Sequence, residues 1–201
     1  MVKSKKVISD ATLVQRIKLG DSTSLEEIVR RYSDKVYSLA YHLTRDTSAA
    51  EEIMQEVFVT LISKISSLEK NSYFATWLYR VTTNASYGFL RKEKKFTDKA
   101  HVEHIEDEQT LSYDWSSLPD DILLSEESST ILHKAIDSLP ETMRAVVVMK
   151  DVEGLKNEEI AQAMDLSIPA VKSRLHRGRL ILRQALSDYY SKYAQPEGGS
   201  A

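Results

Sequence analysis

The sequence predicts an all-α chain: two small helical domains, an N-terminal helical bundle and a C-terminal helix-turn-helix domain, joined by a flexible acidic linker. Three observations carry this. Only 6 glycines and 4 prolines punctuate 201 residues, while the helix formers Leu, Ala, Glu, Lys and Arg are plentiful. Apolar residues recur at i, i+3 and i+4 through most of the chain, the period of an amphipathic helix. From Phe96 to Thr130 that periodicity lapses, and ten acids stand against one base, Lys99. The overall charge of −3 therefore conceals an acidic segment within an otherwise net basic chain.

The N-terminal bundle, residues 1–95, is expected to hold three helices. One runs from about Ser24 to Leu43, with Leu25, Ile28, Val29, Tyr32, Val36, Leu39, Ala40 and Leu43 as a broad apolar face. A second starts near Ser48, where Ser48-Ala49-Ala50-Glu51 fits a capping box, and Ile53, Met54, Val57, Phe58, Leu61, Ile62 and Ile65 follow as its buried stripe. A polar loop, Ser66 to Ser72, interrupts the pattern. A third helix, about Phe74 to Lys95, buries Trp77, Leu78, Val81, Ala85 and Leu90. It ends in Arg91, Lys92, Lys94 and Lys95, which suit the negative end of the helix dipole and make a basic patch.

The linker is assigned to 96–128, because Ser, Thr, Asp and Pro119 replace periodic apolar residues there. The second domain, 129–192, opens with the stripe Ile131, Leu132, Ala135, Ile136 and Leu139. Pro140 suits the first turn of the next helix, which buries Met143, Val146, Val147 and Met149 and stops at Gly154. Residues 193–201, ending PEGGSA, read as a disordered tail.

Asn157 to Arg183 is the most informative stretch. Asn157 is a candidate cap for a helix with Ile160, Ala161 and Met164 on one face. A second helix comes after it, with Ile168, Val171, Leu175 and Leu182 on one face. Between them, Asp165 tolerates the left-handed conformation of a sharp turn and Ser167 can cap the second helix. Ala161 is small where two crossing helices must approach. The second helix leaves Lys172, Ser173, Arg174, His176, Arg177 and Arg179 for solvent. A cationic helix alone better suits an ordinary solvated surface. The small residue, the turn chemistry and the one-sided charge together favour a helix-turn-helix whose second helix reads the DNA major groove.

Other classes find little support. Without cysteine there is no disulfide, thiolate zinc site or thiol nucleophile. His101 and His104 lie close but no second cluster joins them, so no metal and no cofactor are expected. No Gly-rich phosphate loop or Ser-His-Asp order argues for an enzyme. No apolar run approaches membrane-spanning length and the N-terminus lacks a signal-peptide core, so a soluble intracellular protein without membrane insertion is expected.

Two segments resemble a known family. EEIMQEVFVTLI (51–62) with FATWLYRVTTNASYGFLRKEKK (74–95), and DSLPETMRAVVVMKDVEGLKNEEIAQAMDLSIPAVKSRLHRGR (137–179), are similar in this order to the extracytoplasmic-function (ECF) group of bacterial sigma-70 factors. The resemblance implies a non-catalytic, cytoplasmic subunit. It would join core RNA polymerase, at the coiled coil of the largest subunit and the flap of the second-largest, and direct initiation at promoter DNA. It also implies an anti-sigma factor that masks the two domains. Glu52, Gln55 and Glu56 match the family's core-binding surface. Lys70, Asn71 and Tyr73 offer a cation, an amide and a stacking ring where the family captures an unstacked base of the −10 element. Trp77 matches a strand-separating wedge and equally suits plain core; Asn84, Tyr87, Arg91 and Lys92 would line opened DNA. The resemblance assigns Lys172, Ser173, Arg174, His176, Arg177 and Arg179 to the −35 element. Lys172, His176 and Arg177 are placed nearest the bases, with Arg174 and Arg179 on phosphates or in intramolecular ion pairs. Two positions depart from the family pattern: Gly88 replaces an acid in mid-helix, and Pro169-Ala170 replaces the commoner Gly-Thr.

A linker of this length relaxes to about 30 Å and stretches to roughly 110 Å. Promoter elements two helical turns apart lie roughly 70 Å from one another. A third body, core polymerase, would hold the domains apart.

Overall fold

The computed structural model describes residues 8–96 and 126–193; most of the expected linker and the tail from 194 lie outside the described residues. Every regular element among the described residues is helical, and the chain divides into two compact units.

Among the described residues the N-terminal unit holds four α-helices, one more than periodicity predicts. Helix α1, Asp10–Lys18, is capped by Ser9, whose hydroxyl accepts from the Thr12 amide. It is short for an autonomous helix, and tertiary contacts hold it. Leu13 and Val14 are buried, while Asp10 accepts from Arg31 at 2.9 Å and from the Tyr32 hydroxyl at 2.6 Å. Helix α2, Ser22–Thr44, starts at Asp21, whose carboxylate accepts from the Thr23 and Ser24 amides. The Ser24 hydroxyl, above all, holds the Asp21 carboxyl below its ordinary range. Ile28, Tyr32, Val36, Leu39, Ala40 and Leu43 are buried as expected.

Helix α3, Thr47–Lys64, corrects two expectations. Its cap is Asp46, which accepts from the Ala49 amide at 2.9 Å, rather than Ser48. A carboxylate there also meets the positive helix end, which a serine does not match. Ile62 is 60% exposed beside Val59 at 67%, so the buried stripe is narrower than its apolar content suggests. The expected polar loop is two 3-10 turns, Ile65–Ser67 and Asn71–Tyr73, leading into α4, Phe74–Phe96. Phe74 and Leu78 join Ile28, Val36, Ile53, Val57 and Leu61 in the core; Trp77, Val81 and Ala85 pack at its edge. Thr82, Thr83 and Ser86 are buried too, each hydroxyl donating to the carbonyl four residues back.

In the C-terminal unit, α5 spans Glu126–Ser138 and α6 Glu141–Val147. Pro140 stands one position outside α6, at the cap, and its carbonyl accepts from Arg144 N–H at 2.9 Å. The helix then widens into a π turn, Val148–Val152, before Gly154 (φ +73) ends it as expected. Helix α7, Asn157–Met164, takes Lys156 as its cap rather than Asn157: the Lys156 carbonyl receives the first helical bond, and Glu159 reaches back to the Lys156 amide at 2.7 Å. Helix α8 spans Ile168–Tyr193 and packs mainly on α6 and α5.

Candidate nucleic-acid interface

The turn between α7 and α8 has the expected chemistry. Asp165 adopts φ +56, and the Leu166 amide donates to the Ala161 carbonyl at 2.9 Å, closing α7 with a Schellman-type bond. Ser167 caps α8: its hydroxyl accepts from the Ala170 amide at 3.3 Å and its carbonyl from the Val171 amide at 3.0 Å. Val171, Leu175 and Leu182 are buried. Lys172 is consequently exposed, Ser173, His176 and Arg177 are half-buried along the outer flank, and Arg174, three residues after Val171 and four before Gly178, is half-buried at the edge of the packed face.

Arg179 is committed elsewhere. Its guanidinium makes a two-pronged pair with Asp151 in the π turn, Nε to Oδ2 at 3.0 Å and Nη2 to Oδ1. Of the two roles left open for Arg179, the ion pair is the one formed.

Two features of α8 escape periodicity. Gly178 is buried, and a Cβ there would stand 2.7 Å from a Val147 methyl, so glycine allows α8 to lie close on α6. Leu180 is 59% exposed four residues beyond His176, on the cationic flank. Neither residue is charged, which is why a search for cations passes them over.

In the N-terminal unit, Glu52, Gln55 and Glu56 are all exposed on α3, at the i, i+3, i+4 spacing of one face. Glu52 and Glu56 line a cleft of about 510 Å³ between α3 and α4. Trp77, Asn84 and Lys92 line its other wall, together with Arg80 and Gly88. No atom stands within 4 Å of a Cβ built at Gly88, so the missing side chain opens the cleft and relieves no crowding. Arg80 is exposed and was not expected; it sits three residues after Trp77 and four before Asn84, a spacing that puts it on their face.

The loop residues form a small unit. Tyr73 is 45% exposed, and the Lys70 ammonium stands 5.6 Å from the centre of its ring. Asn71, which follows Lys70 in sequence, is half-buried. Trp77 is half-buried, its ring 6.3 Å from that of Phe74. It belongs to the core's edge and the cleft wall at once. Arg91 is exposed further along α4, and Tyr87 is half-buried with its hydroxyl turned inward. Among the described residues no group of three His, Asp or Glu could hold a metal ion, and no helix is long and apolar enough to cross a membrane.

Family models match both units: Sigma-70 region 2 over residues 28–96 and Sigma-70 region 4 over residues 129–182. The chain is 34% identical to the ECF RNA polymerase sigma factor SigW of Bacillus subtilis, over 87% of this chain and 95% of that one. The chain belongs to the ECF sigma factors. It is also 33% identical to the ECF RNA polymerase sigma-E factor of Escherichia coli K12, over 86% of this chain and 91% of that one. Two solved structures share the fold. They are CnrH in complex with the cytosolic domain of CnrY (TM-score 0.65, 18% identity, 89% and 97% of the chains) and the sigma factor RpoE with the anti-sigma factor NepR from Bartonella quintana (TM-score 0.61, 21% identity, 81% and 96%). As an ECF sigma factor, the chain directs transcription initiation, and the all-helical fold in two units is the family's.

Proposed function

We propose that the two units divide promoter recognition, with core RNA polymerase holding them at the required separation. The N-terminal unit, assigned to 1–95, would dock on the largest subunit's coiled coil through Glu52, Gln55 and Glu56 and hold opened −10 DNA. The Lys70–Asn71–Tyr73 loop would take an unstacked base, and Trp77, Asn84, Tyr87, Arg91 and Lys92 would line the strand. The C-terminal unit, 129–192, would read the −35 element through α8 and contact the flap of the second-largest subunit. The segment between α4 and α5 would serve as the tether, shorter than the expected 96–128 because Phe96 and 126–128 are helical, and the residues after α8 would serve as a tail.

The observation that carries this reading is the capped, one-sided cationic helix. Ser167 fixes the start of α8, Val171 and Leu175 face the core, and Lys172, His176 and Arg177 are left on the outer flank. Phosphates supply most of the affinity of such a helix and base edges its selectivity. The Lys70–Tyr73 pair supports the other half, since a cation beside an exposed ring suits an unpaired base. The chain's role is binding rather than catalysis, in the bacterial cytoplasm where polymerase works. An anti-sigma factor is a further expected partner, by analogy with the solved complex of RpoE and NepR.

The test combines the protein with core RNA polymerase and maps transcript starts on genomic DNA. Discrete starts with a shared pair of upstream elements are expected. Absence of core binding, or scattered starts, overturns the reading.

A further inference from the structure

A polar contact joins helix α1 to the base-capturing loop. Lys18, half-buried in the last turn of α1, donates from Nζ to the Leu68 carbonyl at 2.5 Å, across 50 residues of sequence. Leu68 and Lys70 flank the break between the two 3-10 turns, and both have extended backbone (φ −70, ψ 108 and φ −118, ψ 106). The first turn reaches that break only through the Leu68 amide, which donates to the Ile65 carbonyl at 3.2 Å. The Leu68 side chain packs on the N-terminal core, and its carbonyl accepts from Lys18, so the residue is held at both ends. Two residues further on, the Lys70 carbonyl accepts from the Tyr73 amide at 3.0 Å and the Lys70 ammonium lies over the Tyr73 ring.

We infer that Lys18 is a positioning residue for the −10 loop. Its ammonium sets the height of Leu68 above α1, and through it the placement of the Lys70–Tyr73 unit that receives the base. Lys suits the task because its charge strengthens a bond to a carbonyl, while its apolar stem can stay against the core. It acts through the loop and touches no DNA. The inference rests on the proposed role of that loop, and adds α1 to the promoter-opening machinery.

The experiment uses the full chain bound to core polymerase on a template whose −10 element has been mapped, with opening followed by a 2-aminopurine placed in that element. Lys18→Met keeps the stem and removes the donor; Lys18→Arg keeps a donor. Lys18→Met should reduce opening at least tenfold, near the lower end of the scale of one charge-assisted hydrogen bond. Lys18→Arg should recover part of it, and core affinity should stay at the wild-type value. In a Tyr73→Ala background Lys18→Met should add little, because both act through one loop. In the free protein, Lys18→Met should speed amide exchange at residues 68–73 while the α2 and α3 core amides keep their protection. Unchanged exchange in the loop overturns the inference. So does a loss that adds fully to Tyr73→Ala and lowers the salt slope by about one, since that marks a direct phosphate contact. If Tyr73→Ala itself leaves opening at the wild-type level, the loop's proposed role fails, and the exchange result still decides what Lys18 holds.

Discussion

Asp151 grips Arg179 from the π turn that ends α6, so the last arginine of the cationic run on α8 is neutralised within the protein. Both side chains are partly exposed, at 36% and 26%, which limits the pair to about 1 kcal/mol of stability. Arg179→Ala and Asp151→Asn should each lower the stability of the chain by about that amount, and the double variant by little more than either. Against −35 DNA, Lys172→Ala should reduce the salt slope by about one while Arg179→Ala barely changes it. Equal slopes for the two variants would show that Arg179 leaves Asp151 for a phosphate on binding.

Gly178 is a packing requirement. Alanine there brings a Cβ to 2.7 Å from the Val147 methyl, and valine, stiff at χ1, gives way poorly. Gly178→Ala should cost about 1–3 kcal/mol in chemical denaturation, and Val147→Ala should recover part of the loss. A neutral Gly178→Ala would mean that the clash costs no more than the roughly 1 kcal/mol that alanine gains in helix propensity.

Glu27 ties α2 to its own arginines and, through Arg31, to Asp10 of α1. Hydrogen bonds from Arg30 and Arg31 pull its carboxyl down from 4.5 to about 2. A depressed carboxyl adds stability that is fully present above pH 4.5 and is lost as pH falls through about 2. Acid unfolding of the wild type should therefore include a component in that window that Glu27→Gln lacks. If the two proteins denature identically between pH 4.5 and 2, the network does not couple to folding.

Charge on α3 should govern association with polymerase. Glu56→Lys is expected to weaken core binding at least tenfold, about 1.4 kcal/mol, and to do so more at low salt than at high. DNA binding by α8 should be untouched. Core titrations of the labelled protein at two ionic strengths check both statements.

Tyr73→Ala should slow promoter opening by the worth of one stacked base, about 1–3 kcal/mol. Tyr73→Phe should retain most of the activity, since the ring face and its Lys70 neighbour remain. A kinetic comparison of the two separates stacking from hydrogen bonding.

Much of the architecture was legible because its signals are local. Asp165 and Ser167 sit in a turn whose geometry is written in their own chemistry, and α2 shows its buried face at the helical period. Failures arise where a residue's fate depends on a distant partner. Helix α1 is brief, and Asp10 becomes an anchor only once Arg31 and Tyr32 arrive from α2. Near Ser48 two cap-competent residues compete, and the carboxylate of Asp46 wins over the hydroxyl. At α7 the choice of Lys156 over Asn157 reflects Glu159 reaching back one turn. Within the candidate site, the cations of α8 announced themselves. Arg80 went unnoticed, since only the pairing of α3 with α4 reveals that its turn of helix borders a cleft.

Gly178 and Ser167 lie about three helical turns apart on α8, one fixing where the helix begins and the other fixing which side may touch α6. Together they act as a phase lock. A single residue inserted between Ser167 and Lys172 would rotate everything beyond it by about 100°, so a bulkier side chain would meet Val147 while the glycine's gap swung towards solvent. Lys172 and His176 would then keep their sequence and lose their aim. Length between those two residues should therefore tolerate change far less readily than the identity of the cations it carries.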